Sequence, residues 1–144
     1  MRFTVVLLLI TACPVALAAE PFCTTGKAHP IDIRFDRELE KADGVTAAIR
    51  EAQGNAYNAW DKELNAQYKK LMAVLAPRDR DALKQAQRAW LSFVSAEEKL
   101  WWSGSLYGSG GTLGPVEVSG VGTSMVRDRT CQLIQYRERI ELDR

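Results

Sequence analysis

The sequence predicts an all-α domain: an antiparallel helical hairpin plus a C-terminal helix, with a long Gly-rich loop between the last two helices. Three observations predict it. Apolar residues recur at three and four through two long stretches, at Trp60-Leu64-Tyr68-Leu71-Leu75 and at Leu83-Ala86-Trp90-Phe93. A proline-bearing connection of a few residues joins those stretches, which suits antiparallel neighbours. Beyond them, "SGSLYGSGGTLGPVEVSGVG" from Ser103 to Gly122 collects most of the chain's ten glycines.

The chain has 144 residues, enough for one domain. Residues 1–19 read as a signal peptide. Arg2 precedes an apolar run from Phe3 to Ile10, and small residues end it, placing cleavage near Ala18 or Ala19. The apolar run is too short for a permanent membrane span. A competing reading takes Ile10-Thr11-Ala12-Cys13 as a lipobox with a lipid anchor at Cys13. Pro14 and the later Ala-Leu-Ala site favour plain export to the periplasm or medium.

Residues 20–144 are then a single helical domain. Its lead-in, 20–35, carries Pro21, Gly26 and Pro30 and shows no helical period. A short helix is expected at 36–42, stopped by Asp43-Gly44. The longest helix follows at 46–75, with Thr46 as its cap. Gly54 inside it costs about 1 kcal/mol relative to Ala, so a kink or a close helix contact is expected there. Pro77 opens the third helix, 78–102, whose wide apolar face includes Leu83, Trp90, Phe93, Val94, Leu100 and Trp101. Ala82, Ala86 and Ala89 would admit a neighbouring helix. The loop follows, with Val116-Glu117-Val118 its one strand-like fragment, and a last helix is expected at 124–142.

Charge and cysteine usage narrow the function. The chain holds 19 Lys+Arg and 18 Asp+Glu, and loss of Arg2 leaves 18 of each. A neutral exported domain with interspersed charges has no electrostatic reason to bind nucleic acid or anionic membranes. Once Cys13 leaves with the signal, Cys23 and Cys131 remain, and an even pair in an oxidising compartment reads as one disulfide. The alternative is two free thiols.

Catalytic and metal chemistry find little support. His29 is the only histidine, and it lies in the lead-in, where an exposed or capping role is the ordinary one. With the cysteines committed, no zinc or copper set can be assembled, and no cofactor is expected. Glu97 and Glu98 are adjacent on a helix and point about 100° apart, so they cannot flank one glycosidic bond. A hydrolase reading would rest on Asp61 and Glu117 meeting in space. The loop lacks the phosphate-loop and dinucleotide patterns.

"HPID" at 29–32, "WDKELNAQYKKLM" at 60–72, "LKQAQRAW" at 83–90 and the "GSGGT" of the loop resemble the LprI-like lysozyme inhibitor family of small exported bacterial proteins. The resemblance covers residues 29–142. Family members commonly follow the A-Q-x-x-W piece with an Arg-Asp pair and a cysteine, where this chain has Val94, Ser95 and Glu98. Cys131, in "CQLIQYRER", looks like the family's C-terminal cysteine.

The resemblance implies a non-enzymatic exported binding protein that inhibits a lysozyme-type muramidase, with the loop obstructing the enzyme's cleft. The alternative is a cell-envelope accessory protein whose partner is unrelated to lysozyme. Trp101, Trp102, Tyr107 and Glu117, in or beside the loop, are the candidate partner-binding residues. Asp61 and Asn65 sit one turn apart in the middle of the longest helix although both are weak helix formers. They are expected to make a polar contact with Gln87 of the antiparallel helix, fixing register within an apolar interface; the alternative is a ligand site.

Overall fold

The computed structural model describes residues 23, 28–106, 111 and 113–142. They form four helices and, among the described residues, no strand: α1 Pro30–Ala42, α2 Thr46–Val74, α3 Pro77–Trp101 and α4 Gly114–Leu142. The expected signal peptide, its cleavage site and Cys13 lie outside the described residues. No described helix is long and apolar enough to cross a membrane.

α1 begins six residues before its expected start. Pro30 occupies its first turn, where a missing N–H costs nothing, and Asp32 suits the positive end of the dipole. His29 caps it: the Ile31 N–H donates to Nδ1 at 3.2 Å. The expected stop holds, with Asp43 at φ 44° and Gly44 at φ 77° turning the chain. Thr46 is the first helical residue of α2 and not its cap; Val45 precedes it without a side-chain cap. Leu75 and Ala76 join α2 to α3, and Pro77 opens α3.

α4 is 29 residues long and overturns two expectations. Residues 114–122 are helical, so the loop ends at Leu113, and Val116-Glu117-Val118 is helix. Packing against α2 explains it. The Gln53 amide donates to the Val116 carbonyl at 2.8 Å from a buried position. A Cβ on Gly120 would lie 3.6 Å from the Gln53 amide nitrogen, and one on Gly122 would lie 3.9 Å from the Tyr57 ring. The small residues that look like loop chemistry let α4 press onto α2.

Successive contacts, Gln53 with Val116, Tyr57 with Gly122 and Trp60 with Arg127, show α2 and α4 running parallel. This pair is the trunk of the fold, and α1 lies antiparallel on α2, from Asn55–Glu38 at one end to Trp60–His29 at the other. The tight α2–α3 hairpin expected from the short connection is not what holds the fold: α2 is packed on α4 and α1, and α3 leans mainly on α4. The core is Trp60, Leu64, Leu71, Leu83, Val126 and Leu133. Leu83 is the one buried residue of α3. Phe93 and Leu100 are exposed, as are Ala82, Ala86 and Ala89, so the second apolar stripe of α3 faces outward.

Trp60, 1% exposed, is held from two sides. The His29 ring lies 4.7 Å from its ring centroid, and the Arg127 guanidinium sits over it at 5.5 Å. Arg127 donates through Nε and Nη2 to the Asp32 carboxylate, at 3.0 Å for the shortest contact, tying α4 to α1. Cys23 and Cys131 are disulfide-bonded, Cα atoms 5.5 Å apart, and clamp the lead-in to α4 across 108 residues of sequence.

Two stability predictions follow from this arrangement. Replacing Cys23 and Cys131 by serine should cost about 2–4 kcal/mol in urea unfolding, because the bond closes a long loop in the unfolded chain. An unchanged midpoint would mean that α1 and α4 are held without it. Burial lowers the His29 pKa from 6.5, opposed by the Glu63 and Asp32 carboxylates and aided by Arg127. The unfolded chain therefore binds this proton more readily. The contribution is complete above pH 6.5 and drains away as pH falls through the lowered value. His29→Asn, which can still cap α1, should flatten that acid limb of the stability–pH curve.

Candidate functional site

α2, α3 and the first turns of α4 enclose a groove of about 360 Å³ at the end of the molecule where α3 finishes. α3 contributes Val94, Glu98, Trp101 and Trp102; α2 contributes Arg50, Gly54, Tyr57 and Asn58; Val118 and Met125 of α4 line the far wall. The local sequence builds it simply. Trp101 and Trp102 close α3, and the Trp102 N–H bonds back to Glu98 and Leu100 carbonyls. Pro115 in the first turn of α4 starts that helix beside them.

Gly54 is the informative position. A Cβ there would meet nothing within 4 Å, so the expected close helix contact is absent. The glycine sits in the interior of α2, costs helix propensity and faces the groove. Its effect is to keep the floor of the groove open.

The predicted residues fall as follows. Trp101 and Trp102 share this groove, Trp101 half-buried and Trp102 47% exposed. Glu117 is exposed in the first turn of α4, next to the lining residue Val118. Tyr107 lies outside the described residues. Tyr57 and Arg50 belong to the site but carry no mark in the sequence, because they sit on the polar side of the α2 stripe. The one signal was the unexplained Gly54.

Asp61, Asn65 and Gln87 do share a second groove, of about 350 Å³, with Leu64, Tyr68 and Trp90. They do not make the expected contact across it. The Asn65 amide donates within α2, to the Asp61 carbonyl at 2.8 Å and its carboxylate at 3.1 Å. Gln87 instead accepts from Arg129 Nε at 3.0 Å. The polar contact that ties α3 to the trunk therefore comes from α4, since α2 and α3 stand apart. Asp61 lines this second groove and Glu117 does not, so the two carboxylates do not face each other across it. Among the described residues, no His, Cys, Asp or Glu cluster suits a metal.

Alanine at Gly54 should raise stability by up to about 1 kcal/mol, since it recovers helix propensity without a clash. Chemical denaturation measures it. A loss of stability would mean that the glycine has a packing role after all.

The family model described as Lysozyme inhibitor LprI matches residues 38–133. An uncharacterized protein of Rhizobium meliloti (strain 1021) is similar, with 31% identity over 98 residues, covering 59% of this chain and 68% of the relative. No solved structure matches the chain.

Proposed function

Since the chain belongs to the lysozyme inhibitor LprI family, we propose that it is an exported, non-enzymatic protein that inhibits a lysozyme-type muramidase. On this reading the signal peptide is cleaved near Ala18 or Ala19 and the domain acts outside the cytoplasm. The groove end, and not a free loop alone, blocks the enzyme's sugar-binding cleft.

The observation that carries the choice of surface is the concentration of exposed apolar groups at that end: Trp102 at 47%, Leu106 at 50% and Leu113 at 61%. Trp and Tyr are the residues most often found to dominate association energetics, and here Trp101, Trp102 and Tyr57 lie together around an open floor. Glu98 and the exposed Glu117 place acid beside the aromatics, offset in part by Arg50. This local charge offers attraction for a basic enzyme that the neutral chain as a whole does not. Leu106 and Leu113 would contact the enzyme beside the aromatics, and Tyr107 is proposed to take part in the same contact.

The test is inhibition by residues 20–144, disulfide intact, titrated against chicken-type and goose-type muramidases. Saturation near one to one is expected. Trp102→Ala should weaken inhibition at least tenfold, equivalent to about 1.4 kcal/mol, and Glu117→Gln by less. No inhibition by the wild type would dispose of the function. Full inhibition by a variant carrying both Trp102→Ala and Glu117→Gln would dispose of the surface while leaving the function.

A further inference from the structure

A cavity of about 740 Å³, which shares Met125 with the aromatic groove, lies between α3, α4 and the disulfide. Its wall contains Arg129, an internal arginine in an unusual state. The side chain is 6% exposed, yet no carboxylate among the described residues forms an ion pair with it. Its hydrogen bonds go to neutral amides: Nε donates to Gln87 Oε1 at 3.0 Å and Nη1 to Gln132 Oε1. Nη2 is buried with no hydrogen-bond partner. The guanidinium lies over the Trp90 ring, 5.9 Å from its centroid, and the Tyr136 hydroxyl is a further hydrogen-bonding neighbour that favours its charged form without pairing Nη2.

A buried cation without an opposite charge is costly, and proteins ordinarily pair it or replace it. The nearby acids do not serve. Asp32 is engaged by Arg127, and Asp128 is exposed at the cavity mouth. We propose that Arg129 is the anchor of a binding site for a carboxylate carried by a ligand that enters this cavity.

Gln132 shows how the site would fill. It is an exposed amide whose oxygen holds Nη1 at the cavity wall. A carboxylate displacing it would replace one neutral acceptor by a charged, two-oxygen acceptor that spans Nη1 and the unpartnered Nη2. Charge-assisted, bidentate bonds of this kind are roughly twice as strong as neutral ones. The Phe93 and Met125 side chains would cover the apolar remainder of the ligand. This site meets the aromatic groove at Met125, but its anchor, Arg129, lies outside the proposed muramidase surface, and neither proposal depends on the other.

The full mature chain is titrated with acetate and with N-acetylglutamate, using sulfate as the anion control and Trp90 fluorescence as the reporter, with Trp90→Phe to identify its signal. Saturable binding of the carboxylates is expected, at least tenfold weaker in Arg129→Met and in Arg129→Gln. Asp128→Asn, which removes repulsion at the mouth, should tighten it. Arg129→Met should change the melting temperature only slightly, because loss of the bond to Gln87 is offset by removal of a buried charge without a carboxylate partner. Tighter binding of acetate than of N-acetylglutamate would identify the carboxylate alone as the recognised group; the reverse would add an apolar or amide-bearing extension. Equal binding by sulfate and carboxylates would overturn the carboxylate assignment. Equal binding by wild type and Arg129→Met, or no binding with a strongly destabilised Arg129→Met, would show that Arg129 is a structural residue and overturn the proposal.

Discussion

The fold depends on how Trp60 is held. One indole, almost wholly buried, receives the His29 ring from the start of α1 and the Arg127 guanidinium from the middle of α4. Arg127 in turn grips Asp32 of α1. Three helices are thereby fixed relative to one another around a single side chain. The arrangement works because each part has a second duty: His29 caps α1, and Asp32 sits in the favourable first turn of the same helix. Aromatic burial supplies the energy, and the ion pair supplies the register.

Making α2 and α4 a parallel pair has geometric consequences. Two parallel helices cannot be joined by a short turn, so the chain must travel back between them. α3 makes that return, bridging the trunk from Pro77 to Trp101 and burying only Leu83 fully. Because it leans on the pair without nesting into it, grooves open along its flanks. The aromatic groove, the Asp61–Asn65–Gln87 groove and the Arg129 cavity are all products of this loose fit. Both proposed sites thus lie where packing is poorest, which is the usual relation between stability and binding sites.

Much of this was legible in the sequence. The stripe from Trp60 to Leu75 gave α2 its core face, Pro77 its end, and Cys23 and Cys131 their pairing. The start of α4 was not legible, because Gly114, Gly120, Gly122 and three valines argue against a helix by propensity alone. What makes it helical is contact: Gln53 holds Val116, and the glycines let α4 sit on α2. A tertiary effect of this sort leaves no local trace. The early start of α1 did leave one, in His29-Pro30 followed by Asp32, a cap and first-turn pattern hidden within a segment that otherwise reads as extended. The choice of Asn65 and Gln87 as partners failed for another reason. Periodicity says which residues face a neighbour, but not how far away that neighbour stands.

In the site, Trp101 and Trp102 were identifiable as aromatics at a helix end, whereas Tyr57 and Gly54 needed the third dimension to join them. The central claim is that this end of the molecule meets the muramidase. Hydrogen–deuterium exchange of the mature chain, alone and saturated with the enzyme, tests it most directly. The account predicts slowed exchange at residues 50–58, 98–113 and 114–119, with α1 and residues 61–68 unchanged. Protection confined to α1 or to the Asp61–Asn65 groove, in a complex that still inhibits, would contradict it.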